Sequence, residues 1–248
     1  MTDKTLRRTC AALATVGLLV SAAACSSDAS DGADGSGSGD ATSKDPSDMM
    51  LTDSDTPAGW EWGDATEVFE ESNDEDMSDL LDSAKAVITE PEVCAAIAPS
   101  AVSMLAELYD NPDTTAAAGF LPQSESDGGE VNAMISTDPE NTGMALPDDL
   151  SECETFTQHS ELEPDRPAVT FQADSSDAEL IGAEDVHVIT VVSDSDSQGG
   201  DNPVSVVVGN VEGVAFRVDA SGIDEPQILM DLADRQVDRI RGNDPDED

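Results

Sequence analysis

The hydrophobic pattern changes period along the chain. Between residues 78 and 110 apolar side chains recur every three or four positions, and from residue 131 they mostly recur every second one, so helices are expected before strands. Trp60 and Trp62 flank Glu61 behind the turn at Pro57–Gly59 and predict a short first strand. Ser78 is placed to cap a helix whose stripe is Leu80, Leu81, Ala84, Val87 and Ile88. Pro91 is placed to open a short helix carrying Cys94 and Ile97, and Ser100 to cap a third with Val102, Leu105 and Tyr109 facing inward. Val131, Ala133 and Ile135 alternate as a strand. A short helix opened by Pro147 carries Leu150, Cys153 and Phe156. Val169 and Phe171, then 186–192, predict two further strands. Val204, Val206 and Val208 lead to Gly209-Asn210, which reads as a hairpin turn before 211–218 returns.

The closing element has the clearest pattern. Leu229, Leu232, Ala233, Val237 and Ile240 form one stripe behind Pro226, and Gly242 ends it. Asp224 and Glu225 at its start, and Arg235, Arg239 and Arg241 toward its end, suit the helix dipole; Asp231 and Arg235 stand at i,i+4. Helices, then strands, then a closing amphipathic helix predict an α+β fold, a single domain over 51–242 with an antiparallel sheet.

Charge changes the picture most. There are 55 Asp and Glu against 10 Lys and Arg, a formal charge of -45. Such a surface excludes nucleic acid and anionic lipid as electrostatic partners, because phosphate recognition needs a basic patch. Aromatic residues are only 3% of the chain, so the core must be built from Val, Ile, Leu and Ala. The acids are spread along the chain, as on proteins adapted to salt, where hydrated carboxylates keep the chain soluble; a specific basic envelope partner is the alternative.

Lys4, Arg7 and Arg8 precede an apolar run from Cys10 to Val20, too short to span a bilayer, and small residues lead to Cys25. Ala22-Ala23-Ala24-Cys25 resembles the lipobox of bacterial lipoproteins, with Ala22 where leucine is usual. The resemblance implies removal of residues 1–24 as a lipoprotein signal peptide and diacylation of Cys25. Its acyl chains would then hold the protein to the outer leaflet of the cell membrane, on the extracytoplasmic face. Ordinary secretion with cleavage near Ala24 is the alternative. Residues 25–50 read as the lipidated cysteine and a disordered Ser/Gly/Asp tether of about 28 Å r.m.s. span, and 243–248 as an acidic tail. Cys10 leaves with the signal and Cys25 carries lipid. Cys94 and Cys153 remain for one disulfide in an oxidising compartment, two separate buried thiols being the alternative.

Pro57-Ala58-Gly59-Trp60, Pro91-Glu92-Val93-Cys94, the Cys153 helix, Val207-Val208-Gly209-Asn210-Val211 and the final helix together resemble a group of actinobacterial cell-envelope modules. These are small lipoproteins and the extracellular sensor domains of membrane serine/threonine kinases. The kinase sensors usually hold two disulfides, and here only Cys94 and Cys153 are available. The resemblance implies a ligand-binding or sensing role outside the membrane, with no catalytic residues to carry over.

Tests for chemistry return little. His159 follows the Cys153 helix and reads as a surface residue, and His187 lies on one face of a β-branched strand. No GxSxG elbow fixes a nucleophile near either. Residues 194–199, DSDSQG, begin like an EF-hand loop, but Ser205 stands where the bidentate Glu belongs, so no metal site is expected there. The expectation is a membrane-anchored, non-catalytic module that binds an unknown envelope ligand or protein, with no cofactor. A carboxylate-based envelope hydrolase and a structural wall-spacing protein are the alternatives.

Overall fold

A computed structural model of the chain describes residues 44–64, 74–98, 101–124, 129–194, 203–223 and 226–243. The signal peptide, Cys25, most of the tether, Ser100, residues 195–199 of the candidate calcium loop and the tail from 244 lie outside them. The fold is α+β. Among the described residues nine strands form one antiparallel sheet, in the order β1-β3-β4-β9-β8-β7-β6-β5-β2. They are β1 (Trp60–Asp64), β2 (Val87–Glu90), β3 (Thr115–Pro122), β4 (Glu130–Ser136), β5 (Thr155–Ser160), β6 (Val169–Asp177), β7 (Glu184–Ser193), β8 (Val204–Val211) and β9 (Val214–Ser221). Among the same residues the helices are α1 (Asp74–Lys85), α2 (Ala101–Asp110) and α3 (Pro226–Arg241), with 3-10 turns at Pro46–Met49, Asp53–Asp55, Glu92–Ile97 and Leu150–Cys153.

Alternation along the central strands sends side chains to two separate cores. On one face Phe120, Val131, Ala133, Ile135, Phe216 and Val218 pack under the stripe of α3. On the other, Ala117 and Met134 meet Met104 and Leu108 of α2, while Ile189, Val191, Val206 and Val208 meet Ile97, Phe156 and the two cysteines. Helix α3 ends as its sequence predicts. Gly242 takes φ +76°, its N–H bonds to Arg239 O and the next N–H to Asp238 O, the pairing that satisfies the last carbonyls of a helix.

Several expectations are corrected by tertiary contacts. The tether does not run to residue 50. Met49, Met50 and Leu51 are buried beside α3, and Gln236 Nε2 donates to Met49 O at 2.7 Å. A leucine- and valine-poor segment still joins the core when it carries two methionines. The first helix stops at Lys85, and Val87 and Ile88 belong to β2, because β5 offers them a strand partner. Tyr109 faces outward at 56% exposure, and Met104, Ala106 and Leu108 form the buried side of α2. Phe156 lies in β5, past the end of its 3-10 turn, and β3 was not anticipated.

The hairpin turns at Glu212-Gly213, where both residues have positive φ, and Asn210 accepts the Gly213 N–H at 2.8 Å. Gly209 stays within β8 for a different reason. A Cβ there would come within 2.7 Å of the Phe216 ring, so the glycine makes room for an aromatic anchor of the core.

Arg235 and Arg239 reach off the helix to the segment before β1, whereas Arg241 stays beside Asp238 on the helix at i,i+3. Arg235 donates to Asp55 O at 2.8 Å. Arg239 reaches Asp55 Oδ2 at 3.0 Å, Thr52 Oγ1 at 3.1 Å and Ser54 Oγ at 2.7 Å. They bind the segment before β1 to the last helix. Asp55 is fully buried, so removing its counter-ion strands a charge away from water, which costs about 3 kcal/mol. Arg239→Gln should therefore destabilise by roughly that amount, nearly independently of salt. Arg241, exposed, 4.0 Å from Asp238 and donating to Ile181 O at 3.4 Å, should lose under about 1 kcal/mol as Arg241→Gln, and less in molar salt than in dilute salt. Denaturant midpoints in dilute and molar salt check both, and equal losses would overturn the distinction.

Candidate functional site

The second face of the sheet is incompletely covered. A groove of about 800 Å³ opens between β2, the 3-10 turn Glu92–Ile97, α2 and the loop that carries Thr142 to Met144. Its apolar lining includes Met104, Met134 and Met144, and Arg217 of β9 contributes a charged group. Methionine side chains are unbranched and polarisable, so such a lining adapts to more than one apolar shape.

Two links hold the turn over the sheet. Cys94 and Cys153, both fully buried, form a disulfide with Cα atoms 5.5 Å apart, and so join the Glu92–Ile97 turn to the turn before β5. Arg217 does the same with hydrogen bonds. Its Nη1 and Nη2 donate to Ala96 O and Ala98 O, each at 2.9 Å, and its Nε to Asp219 Oδ1 at 3.2 Å. Both side chains of that ion pair are under a tenth exposed. The guanidinium therefore carries carbonyls at the end of a turn that would otherwise face an apolar sheet.

The rim is acidic. Glu90, Glu92, Glu107 and Asp110 line the groove with Lys85 and Arg217. Lys85 is bound to Asp110 at 2.8 Å, the chief reason its ammonium is held above its ordinary value. Burial first, then the charge of Asp110, pushes the Glu107 carboxyl up; a hydrogen bond from Asn111 Nδ2 at 3.1 Å and the charge of Lys85 pull the other way. With both cations engaged, the net field in the groove is negative.

The histidines stand apart from it. His187 Nδ1 is 3.1 Å from Asp177 Oδ1 across the β6–β7 ladder, and His159 sits opposite Ile88 in the β2–β5 ladder. Of the candidate calcium loop only Asp194 is described, and it accepts the Thr170 N–H at 3.2 Å. No group of three or more His, Cys, Asp or Glu among the described residues is arranged to hold a metal. A smaller apolar cavity of about 350 Å³ lies on the other side of α2, floored by Gly63, Gly119 and Asn132.

Sequence reasoning missed Arg217, the three methionines and Glu107. One signal was present. Arg217 and Asp219 are opposite charges at i,i+2 in a strand, so they share one face and can pair along it.

Neither a protein-family model nor a curated protein matches the chain. Among solved structures it is similar to the extracellular domain of PknH from Mycobacterium tuberculosis, at 14% identity and TM-score 0.41, over 63% of this chain and 78% of that one. It is also similar to a putative uncharacterized protein from Mycobacterium smegmatis, an Rv0999 ortholog, at 12% identity and TM-score 0.40, over 79% and 97%. Neither likeness bears on function.

The raised Glu107 carboxyl has a pH consequence. A carboxyl above its ordinary value of 4.5 binds its proton more tightly folded than unfolded, so stability is lost as the pH rises from that value through the folded one. Glu107→Gln should gain stability relative to wild type between about pH 4 and pH 7. Melting curves at the two pH values check this, and a constant difference between the proteins would refute it.

Proposed function

We propose that the chain is an extracytoplasmic, lipid-anchored module that binds a ligand or partner in the groove and catalyses no reaction. The observation that carries the reading is the groove itself. It is a concavity of about 800 Å³ whose lining mixes methionine and alanine side chains with charged and polar ones, and a concave site with convergent polar groups is the form expected of a binding site. Its wall is held by a disulfide and a buried arginine, so it keeps its shape without a ligand. The disulfide also supports an oxidising compartment, in keeping with the signal-like N-terminus and Cys25. Among the described residues no helix is long and apolar enough to cross a membrane, and attachment is assigned to acyl chains on Cys25.

A carboxylate-based hydrolase is the second reading, and Glu107 is the observation in its favour. A general acid needs a raised pKa and a second, free carboxylate opposite. Glu107 has the first property, but its neighbour Asp110 is engaged by Lys85.

Two measurements test the proposal. Envelope material separated into peptide, glycan and lipid fractions should include one that shifts the methyl signals of Met104, Met134 and Met144 in the mature chain. Ala95→Trp, at an exposed lining position, should abolish the shift while leaving the fold intact. If no fraction moves those signals, the groove reading fails. Cys25→Ser should move the protein from the detergent phase to the aqueous phase, and unchanged partitioning would overturn the lipid anchor.

A further inference from the structure

Four consecutive residues of β2, Val87 to Glu90, line the groove. A strand presenting one face contributes every second residue, so an unbroken run means that the groove runs along the strand's edge. β2 is the last strand of its side of the sheet. Which of its backbone groups face outward follows from the ladder. Glu161 N–H bonds to Ala86 O, and Ala173 N–H to Glu154 O. In the registers Ile88↔His159 and Phe156↔Phe171, residues 157 and 159 of β5 therefore bond to β2, and 156 and 158 bond to β6. Ile88 and Glu90 use their N–H and C=O groups toward β5. Those of Val87 and Thr89 point the other way, and among the described residues no hydrogen bond reaches them.

We propose that the groove takes an extended, basic segment of another protein, which adds as a further strand to β2 through the N–H and C=O groups of Val87 and Thr89. The proposal rests on the groove being the binding site and names its occupant. An open strand edge is a template for strand addition, and proteins usually cover or blunt such edges. Here the edge is recessed among adaptable methionines. Charge selects the occupant. Lys85 and Arg217 are already paired, whereas among the described residues Glu90 and Glu92 form no ion pair and Glu107 meets Lys85 only through its more distant charge. A segment alternating apolar and basic side chains sends the first toward Met104, Met134 and Met144 and the second to the rim. The acidic tether of this chain and a second acidic copy are disfavoured by the same field.

The probe is a capped peptide of alternating lysine and valine, titrated against the mature chain in dilute salt. It should bind, shift the amide signals of Val87 and Thr89, slow their exchange with solvent, and weaken steeply as salt is added. A glutamate–valine peptide should not bind. Methylating alternate backbone nitrogens of the probe should lower affinity roughly tenfold or more. Val87→Pro removes an outward N–H and leaves the backbone ladder to β5 intact, an edge position where proline is tolerated, and should have the same effect; Thr89→Pro, which also removes the Thr89 Oγ1 acceptor of Gln158 Nε2, repeats the test should Val87→Pro not fold. Glu90→Gln with Glu92→Gln should reduce the salt dependence. If the peptide enters the groove but N-methylation and the proline variants leave affinity unchanged, strand addition is wrong and the groove reading stands. If the lysine–valine peptide fails to bind while another ligand shifts the groove methionines, the peptide occupant is wrong. If nothing reaches those methionines, both fall. Self-association lost in the proline variant would assign the edge to a second copy and overturn the proposal.

Discussion

Arg217 is the group on which the grooved side of this protein depends. A guanidinium remains charged, so placing one under a protein layer requires that its donors be engaged. Asp219 supplies the counter-charge from the same strand face, and Ala96 and Ala98 supply carbonyls from the turn above. This joins a strand in the middle of the sheet to a segment more than a hundred residues earlier. The turn cannot lift away without leaving a buried charge and two carbonyls exposed to an apolar surface. The groove wall is therefore fixed by electrostatics on one side and by the Cys94–Cys153 bond on the other.

The opposite face of the sheet is held by different physics. There α3 lays an apolar stripe over a continuous valine, isoleucine and phenylalanine surface, which is non-directional burial. Polar specificity enters only at its margin, where Arg235, Gln236 and Arg239 collect the segment around Met49 to Asp55. Cations are scarce in this chain, and three of them, Arg217, Arg235 and Arg239, sit in contacts that tie remote segments together. Carboxylates outnumber the few exposed cations, among them Lys85, Arg166 and Arg241. On the proposed reading, a recessed groove with backbone donors and acceptors along one wall would turn that acidity into selectivity for a cationic partner.

Much of the architecture was legible along the chain. The alternation of Val131 to Ile135 and of Val204 to Val208, and the stripe and terminal glycine of α3, fixed strand and helix identity because local periodicity and burial agreed. The two cysteines left after Cys10 and Cys25 were assigned gave one natural pair. Where local signals competed with tertiary partners, the partners won. Val87 and Ile88 suited the α1 stripe equally well, but β5 drew them into a ladder. Gly209-Asn210 carried a turn signal, yet Gly209 pairs with Phe216 inside the ladder, where a Cβ would meet its ring, and the turn falls at Glu212-Gly213.

The candidate site was hidden for a related reason. Its walls come from Lys85 to Ala98, Met104 to Asp110, Met134, Thr142 to Met144 and Arg217, and no local pattern relates these stretches. The sequence by itself determined the charge, the α+β alternation, the closing helix and the pair of cysteines, because each depends on residue type or on neighbours within a few positions. Only the tertiary structure decided that β2 would be an open edge, that an arginine would lie beneath a turn, and that three methionines would meet. Those outcomes depend on the order of strands in the sheet, which is set by long-range pairing and has no counterpart in the spacing of residues along the chain.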